Sequence, residues 1–303
     1  VTLFALLLDQ LIGELSKFHP LVGFGKFADF LQNKFNRGEQ KFKLFNGILA
    51  WSLLVLPIFC LLMIINLTVI QQLFFDTILV YFCIGRKSMR QHSMKIYEPL
   101  NKNNLPEARH QCGMIVSRKV DNLSETEIAR ATVESVLENT NDAVVASLFW
   151  YLVGGAPFVI LHRLVNTLDA MWGYKNEKYN QFGYFAAKAD DLMAWPTAKF
   201  TAVLFAIQAS NKTTFYKALS NANKQSKNYK SLNGGWVMAA GATVLGIQLN
   251  GNNHYGNIKQ TITLLGEGLD VCKQDILRAV NLMDYSISIW MGLLLLLVTL
   301  QIL

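Results

Sequence analysis

Acidic and amide side chains gather in three short runs of the sequence, each at the end of an apolar segment. The runs are VESVLENTNDAVVASLFW, LVNTLDAMWGYKN and AAKADDLMAWP. Their polar residues are Glu134, Glu138, Asn139 and Asp142, then Asn166 and Asp169, and finally Lys188, Asp190 and Asp191. Carboxylates that converge without His or Cys ligands suit Mg²⁺, which keeps several waters and usually bridges to substrate phosphates. The three runs therefore indicate a site for magnesium and phosphate chemistry.

The spacing within these runs is compatible with structural and functional roles. Glu134 and Glu138 are i,i+4 neighbours, and like charges at this spacing destabilise a helix by about 0.2–0.5 kcal/mol unless a cation such as Arg130 lies between them. Asn166 and Asp169 lie one helical turn apart and share a face. Taken singly, each run could be a helix cap or a solvated face. Acids beside the apolar zone cost up to about 2.5–3.5 kcal/mol and are rarely idle, so the three runs together favour a functional site.

Several common catalytic and binding motifs are absent from the sequence. It contains no P-loop G-x-x-x-x-G-K-[ST], no G-x-G-x-x-G after a strand, no H-E-x-x-H and no G-x-S-x-G. The four cysteines form no C-x-x-C pair, so neither a disulfide framework nor a zinc site is indicated. These absences argue against an ordinary P-loop NTPase, a Rossmann-type enzyme, a zinc protease and an α/β-hydrolase.

The composition indicates that part of the chain lies in a membrane, and it excludes disorder and a coiled coil. The chain has 303 residues, of which 52% are hydrophobic and only 16% are charged, whereas soluble domains carry about 25% charged residues. The formal net charge is +7, from 28 Lys and Arg against 21 Asp and Glu. The whole excess equals the seven lysines between Asp191 and Glu267, a stretch without acids or Arg. This pattern favours an anionic membrane face or ligand over nucleic acid.

Three apolar segments predict membrane helices at residues 47–65, 67–85 and 286–303. The first two form a hairpin that returns the chain to its starting side. That side is basic at both ends, which places it in the cytoplasm. The basic residues are Lys34, Arg37, Lys41 and Lys43 before the hairpin and Arg86, Lys87 and Arg90 after it.

Residues 86–142 have the composition of a charged, cytoplasmic helical segment. Ser124 and Glu127 have the spacing of a capping box and predict the start of a helix. Residues 195–209 and 236–249, which are rich in Ala and Gly, predict closely packed helices. No strand-like alternation is visible, so we predict an all-α, multi-pass membrane protein. We expect a single membrane-embedded domain over residues 1–303, with segments at 1–85, 86–142, 143–285 and 286–303.

Residues 143–168 form an apolar stretch that Gly154-Gly155-Ala156-Pro157 interrupts in its middle. Each arm is short for a membrane crossing, so one interpretation is a re-entrant or interfacial helical hairpin. Such a hairpin would hold Asp142 and Asp169 on the same face of the membrane. The other interpretation is one kinked span that tolerates Gly and Pro.

Residues 116–202, which contain the three runs, resemble the central block of the adenosylcobinamide-phosphate synthase family, the CobD/CbiB membrane proteins of cobalamin biosynthesis. The similarity is most specific between Ala129 and Trp195, where E-N-x-x-D, N-T-L-D and D-D-L stand in register. The segments LLDQLIGE, RKSMRQH and SLNGGW are similar to other family landmarks in the same order. The chain departs from the usual family pattern at Glu14-Leu15, Leu232 and Val237-Met238.

The resemblance implies an enzyme, an amide ligase that uses ATP and magnesium. It would join aminopropanol, or its O-phosphate, to a propionate of adenosylcobyric acid. The resemblance implies Glu134 and Asp142 as catalytic carboxylates and Asp169, Asp190 and Asp191 as metal ligands. The residues implied in binding substrate or phosphate are His19, Arg86, His92, Arg118, Arg130, Asn139, Asn166, Lys188, Asn233 and Trp236.

The resemblance also implies a location and partners. We expect the bacterial inner membrane, an active site that faces the cytoplasm, the corrinoid and amine substrates as ligands, and no nucleic acid. A homo-oligomer or a complex with other late cobalamin enzymes is compatible with the sequence. The competing interpretation is a non-catalytic sensor or scaffold similar to the AmpE-type membrane proteins, which generally lack the full acidic series kept here. A transporter would need broken helices in two related halves, and the sequence has one Gly-Gly-Ala-Pro break.

Overall fold

The structure is a computed structural model, and it describes residues 1–14, 19–37, 39–116, 118–249 and 264–302. This described part contains twelve α-helices. They are α1 Thr2–Ile12, α2 Pro20–Phe35, α3 Gln40–Ile64, α4 Val69–Cys83, α5 Arg86–Asn101, α6 Leu105–Gly113, α7 Glu125–Thr140, α8 Ala146–Trp172, α9 Tyr184–Ile207, α10 Lys212–Gln225, α11 Leu232–Leu245 and α12 Gln274–Ile302. A π-helical turn, Asn141–Val145, joins α7 to α8, and a 3-10 turn, Ser226–Asn228, follows α10.

Four helical stretches of the described chain are long and apolar enough to cross a membrane, as judged by length and composition. They are Lys41–Ile64, Val69–Asn101, Glu125–Trp172 and Gln274–Leu300. Large apolar side chains on these stretches are exposed, for example Ile64 at 77% and Ile70 at 80%. Water would disfavour such a surface, whereas lipid solvates it. The predicted all-α, multi-pass membrane fold is therefore confirmed.

A small sheet adds to the helices, although the sequence pattern predicts no strands. Its central strand, β1 (Ile247–Leu249), pairs antiparallel with β2 (Leu265–Gly266) and parallel with β3 (Leu269–Asp270). Strands of two or three residues are too short to produce a recognisable period of two in the sequence. The sheet is therefore a feature that sequence reasoning missed.

The chain divides into two compact units. The first contains Val1–Lys87 and Asp142–Pro196, and the second contains Ser88–Asn141 and Thr197–Leu303. Each unit is built from segments that are distant in sequence, so its core depends on long-range packing. The organisation of residues 1–303 as a single membrane-embedded domain stays a prediction.

The core of the first unit lies between α2, α3 and the second half of α8. Trp172 at the end of α8 is 1% exposed, and its ring packs at a centroid distance of 5.0 Å against Phe182, which precedes α9. Trp51 of α3 packs against Phe185 of α9 with centroids 4.9 Å apart. Aromatic pairs of this kind add roughly 0.5–1.5 kcal/mol to the free energy gained by burying their area. This packing fixes the end of α8 and the start of α9, where two of the three polar runs lie.

The second unit is organised around α11, which packs against α7, α10 and α12. Most of α11 is buried, and its small residues allow neighbouring helices to approach closely, as expected for Ala- and Gly-rich helices. The predicted capping box at the start of α7 is present. The Ser124 backbone N–H donates to Glu127 Oε2 at 2.8 Å, and Ser124 Oγ accepts from the Glu127 N–H at 3.3 Å. The cap sets the first turn of the helix that carries Glu134.

Candidate functional site

Helix α8 reverses direction at Gly154 and Gly155, whose backbone angles are not helical (φ −150°, ψ 21° and φ 67°, ψ −159°). A straight helix would hold Asp142 and Asp169 about 40 Å apart, at 1.5 Å per residue. The carboxylates of Asp142 and Asp169 nevertheless repel each other electrostatically. The two side chains must therefore lie close together. The segment from Asp142 to Trp172 is therefore a helical hairpin, and not one straight span.

Side-chain contacts on both arms of α8 support the same geometry. Trp150 and Phe158, on opposite sides of the break, stack with ring centroids 6.1 Å apart. Ser147 Oγ on the first arm donates to the carbonyl of Cys83 at 2.9 Å, and the charge of Arg163 on the second arm also reaches Cys83. The end of α4 therefore lies near both arms. Of the two interpretations of this apolar stretch, the coordinates support the hairpin.

Replacement of Gly155 by Ala is expected to destabilise the protein by about 1–3 kcal/mol, because a side chain is strongly disfavoured at its φ and ψ angles. A Cβ at this position would meet no atom closer than 3.8 Å, so the cost is conformational and not steric. Thermal unfolding of the detergent-solubilised protein measures the effect. Gly23→Ala is the control, since a Cβ on that helical glycine meets nothing within 4 Å. Equal melting temperatures for the two variants would contradict the proposed conformational role of Gly155.

Within the first unit, the hairpin brings one carboxylate of the first polar run together with the carboxylates of the other two runs. Asp142 lies in the π turn before α8, Asp169 near the end of α8, and Asp190 and Asp191 in α9. Burial, together with the charges of Asp142 and Asp169, raises the pKa of Asp190 well above its usual value. Asn166 Nδ2 donates to Asp190 Oδ1 at 3.3 Å and ties the two helices together. The prediction that these runs converge is therefore consistent with the fold of this unit.

Two further residues shape this carboxylate cluster. Lys188 Nζ lies 3.2 Å from Asp191 Oδ2, so the one lysine of the third run is paired with an acid of the same run. A Cβ on Gly173 would lie 2.0 Å from Asp169 Oδ1, so glycine is required there to leave room for the carboxylate. Lys188 thus compensates part of the negative charge of the cluster, and Gly173 leaves space for one of its carboxylates.

The donor set fits magnesium held together with a phosphate ligand. Among the described residues, no three His, Cys, Asp or Glu side chains are placed to hold a metal ion by themselves. Mg²⁺ commonly takes one or two carboxylates and completes its shell with waters and substrate phosphates. The cluster contains oxygen ligands only, and the mutual repulsion at Asp190 would be relieved by a cation. The candidate ligands are Asp142, Asp169, Asp190 and Asp191, and one or two of them would suffice for such an ion if waters and a phosphate complete its shell.

The segment after α4 brings cations towards this cluster. The Gly85 N–H donates to the carbonyl of Ala143, the residue after Asp142, at 3.0 Å. Arg86 follows directly, and its Nη1 donates to Gln10 Oε1 at 2.8 Å. The predicted phosphate-binding residue Arg86 is thus anchored on α1, and it is the residue next to the one that contacts Ala143. This arrangement places a guanidinium in the same part of the unit as the acidic residues.

Asp9 is a residue of this region that sequence reasoning missed. It is 1% exposed, and its Oδ2 accepts from the Lys87 backbone N–H at 3.0 Å. Burial raises the pKa of its carboxyl group. Lys87 Nζ in turn donates to the carbonyl of Leu11 at 3.0 Å, so α1 and the start of α5 are joined twice. The signal in the sequence is the acid itself, within the otherwise apolar run LFALLLDQLI.

His19, predicted to bind substrate, caps a helix. Its Nδ1 accepts from the Leu21 N–H at 3.3 Å at the start of α2, and its ring packs edge-on against Phe82 with centroids 5.5 Å apart. Burial lowers the pKa of His19, and the nearby charge of Arg163 lowers it further. The hydrogen bond that Nδ1 accepts requires this nitrogen to be unprotonated.

The second unit carries the other group of predicted residues, centred on Glu134. Glu134 is 4% exposed, and its Oε2 accepts from Arg118, which lies before α7. Its Oε1 is buried and has no hydrogen-bond partner among the described residues. Arg130 does not separate Glu134 from Glu138 as the helical spacing suggests, because its Nη2 is directed to Asp270 at 3.8 Å. The buried negative charge is instead compensated by Arg118.

The start of α11 adjoins the same part of α7. A Cβ on Gly234 would lie 2.9 Å from Glu138 Oε1, so this carboxylate reaches the first turn of α11. A negative charge is favourable at the N-terminus of a helix. Asn233 is buried beside Gly234, and Lys199 Nζ lies 5.6 Å from the ring centroid of Trp236. Glu138 opens the E-N-x-x-D motif but is not among the catalytic, metal-binding or substrate-binding residues that the resemblance implies; the structure places it in this group.

Two predicted residues are less closely involved with these groups. Asn139 Nδ2 donates to the carbonyl of Ser135 at 2.9 Å within its own helix. His92 lies half-buried on α5. The predicted residues thus form one group in each unit, with Asp142, Asn166, Asp169, Lys188, Asp190 and Asp191 in the first and Arg118, Glu134, Asn233 and Trp236 in the second.

Comparison with known proteins identifies a family for the whole described architecture. A family model described as CobD/Cbib protein matches residues 2–283. A cobalamin biosynthesis protein CobD from Stutzerimonas stutzeri is 40% identical over 291 residues, 96% of this chain and 95% of the relative. Its counterpart from Chromobacterium violaceum is 38% identical over 294 residues, 95% of this chain and 93% of the relative. A probable CobD from Pyrococcus furiosus is 36% identical over 253 residues, 83% and 85% of the two chains. No solved structure matches.

Proposed function

The chain belongs to the CobD/Cbib family of cobalamin biosynthesis proteins, and we propose that it is the amide ligase adenosylcobinamide-phosphate synthase. It would join aminopropanol, or its O-phosphate, to a propionate of adenosylcobyric acid at the expense of ATP. The observation that carries this proposal is the carboxylate cluster, in which Asp142, Asp169 and Asp190 lie close enough to interact electrostatically. Such a cluster of oxygen ligands suits a magnesium-bound polyphosphate.

The chemistry needs an activated carboxylate, because a free propionate is a poor acyl donor. A propionate oxygen attacks the γ-phosphorus of ATP, and the bond between this phosphorus and the β,γ-bridging oxygen breaks. ADP departs, and the propionate is converted to an acyl phosphate. The amine nitrogen then attacks the acyl carbon, the bond to the phosphate oxygen breaks, and inorganic phosphate departs. The nitrogen loses a proton to a carboxylate, and the amide is complete.

The first unit supplies the groups for the phosphoryl step. Magnesium, when bound, would neutralise charge on the transferring phosphoryl group. One or two of Asp169, Asp190 and Asp191 would hold the ion together with phosphate oxygens. Asn166 would keep Asp190 oriented through its 3.3 Å hydrogen bond. Arg86 would contact the polyphosphate, since a guanidinium matches phosphate geometry.

The proton acceptor for the amine is either Asp142 or Glu134. The hydrogen bonding of Glu134 favours it as the proton acceptor. Its Oε2 accepts a hydrogen bond from Arg118, whereas its buried Oε1 accepts none from the described residues. Asp142 is favoured by its position in the carboxylate cluster, where it is an alternative metal ligand. A general base needs an acceptor atom within reach of the proton it removes.

The basic ends of the first membrane hairpin support a bacterial inner-membrane location with the site on the cytoplasmic side, where ATP is available. Lys34, Arg37, Arg86 and Lys87 flank that hairpin. The lipid bilayer and the corrinoid are the partners that this proposal implies.

Purified protein in detergent is expected to form the amide when it is incubated with adenosylcobyric acid, ATP, Mg²⁺ and either aminopropanol or aminopropanol phosphate. Mass spectrometry detects the amide, and ADP release measures the coupled phosphoryl transfer. Reactions that lack ATP or Mg²⁺ are the controls. A folded protein that yields no amide with either amine would contradict the ligase and favour the non-catalytic alternative.

A further inference from the structure

Arg163 lies in the second arm of α8 without an ionic partner among the described residues. Its Nε is buried and makes no hydrogen bond to any residue that the structure describes. The residue as a whole is half-buried. A charged side chain within a membrane-spanning helix costs about 2.5–3.5 kcal/mol and is rarely without function. The position therefore requires an explanation that the protein's own described side chains do not provide.

His162, the preceding residue, has the same property in a stronger form. It is 1% exposed, and neither of its ring nitrogens has a hydrogen-bond partner in the part of the chain that the structure describes. The great majority of buried polar atoms in proteins are hydrogen-bonded, and an unsatisfied one costs about 1–3 kcal/mol. Three unsatisfied nitrogens on two consecutive residues point to a partner from outside the described residues.

The surroundings of Arg163 show what part of the unit such a partner would occupy. The charge of Arg163 reaches Cys83 at the end of α4 and His19 at the start of α2. Along α8, Arg163 precedes Asp169 by six residues, or about 9 Å of helix axis. Measured along the helix axis, a ligand group at Arg163 is therefore within the length of a small substrate of Asp169.

We propose that Arg163 binds an anionic group of a substrate, a carboxylate or a phosphate, beside the carboxylate cluster. A guanidinium donates two parallel hydrogen bonds to either group, which gives both affinity and orientation. This inference rests on the proposed function, because the acid substrate of the ligase brings a free propionate and its amine substrate can bring a phosphate. Arg163 would then hold one of the two reactants while the other groups of the site act on it.

Direct binding tests this assignment without requiring turnover. Isothermal titration of the detergent-solubilised protein uses three probes: adenosylcobyric acid, aminopropanol phosphate and aminopropanol. Arg163→Gln is expected to weaken one anionic probe by about 10- to 100-fold, the usual effect of losing charged hydrogen bonds. Weaker binding of aminopropanol phosphate alone identifies the phosphate as the bound group, and weaker binding of the corrinoid alone identifies the propionate. Arg37→Gln, at an exposed arginine of the same unit, is the matched control and is expected to bind all probes normally.

Arg163→Lys keeps the charge but loses the paired hydrogen bonds, and it provides a test if the Gln variant does not fold. It is expected to weaken the same probe by a few fold. Unchanged affinities in a folded Arg163→Gln variant, or in Arg163→Lys if that is the folded one, would overturn the assignment of Arg163 alone. Wild-type protein that binds neither anionic probe would overturn the proposed function together with this inference.

Discussion

Asp190→Asn and Asp191→Asn are each expected to lower the rate of amide formation by about 100-fold or more. A metal ion at a phosphoryl group contributes several kcal/mol of transition-state stabilisation, and each 1.4 kcal/mol corresponds to about tenfold in rate. Both residues lie in the same cluster as Asp142 and Asp169. Burial and the charges of these neighbours already raise the pKa of Asp190. Initial rates measured by mass spectrometry at saturating substrates give the effect on kcat.

Asp29→Asn is the matched control, because Asp29 is an exposed aspartate of the same unit, on α2. It is expected to leave the rate unchanged. A readout without turnover comes from thermal unfolding, since Mg²⁺ with ATP is expected to raise the melting temperature of the wild-type protein more than that of Asp190→Asn. If both cluster variants form the amide at the wild-type rate, Asp190 and Asp191 are not metal ligands.

Glu134→Gln is expected to reduce kcat by about 100- to 10,000-fold, the range by which a positioned general base accelerates a reaction. Gln has nearly the same shape as Glu and can still accept a hydrogen bond from Arg118, so the packing of α7 is retained. What it loses is the capacity to take up a proton at Oε1. The same substitution is expected to abolish growth rescue of a strain that lacks the ligase.

Glu107→Gln serves as the control for this variant, since Glu107 is an exposed glutamate in the first turn of α6. It is expected to rescue growth as the wild-type protein does. If Glu134→Gln and Glu107→Gln both support normal growth, Glu134 has no catalytic role. In that case Asp142 would become the remaining candidate for the proton acceptor.

Features that depend on local sequence were predicted correctly. Runs of apolar residues specify membrane helices because every buried peptide group in lipid needs a partner within its own helix. The apolar segments at 47–65, 67–85 and 286–303 accordingly lie within or largely overlap three of the observed stretches. The Ser124 and Glu127 capping box was predictable for the same reason, since both of its hydrogen bonds join residues three apart.

The polar residues themselves could also be selected from the sequence, but their partners could not. Arg118 lies 16 residues from Glu134, and Arg130 is paired with Asp270 rather than with its helical neighbours. Asp9 is held by a backbone N–H 78 residues away. Such contacts depend on how distant segments pack, and the composition of each segment is compatible with many alternatives.

The fold of α8 shows most clearly which features the local sequence specifies and which depend on tertiary packing. The sequence by itself determined that Gly154 and Gly155 interrupt an apolar stretch between Asp142 and Asp169. It left open whether that stretch crosses the membrane once with a kink or turns back on itself, because glycine permits either backbone path. Only the tertiary structure decided for the reversal, since the packing of both arms near Cys83 depends on contacts that no local propensity encodes. That reversal brings Asp142 of the first polar run into one cluster with the acids of the other two runs.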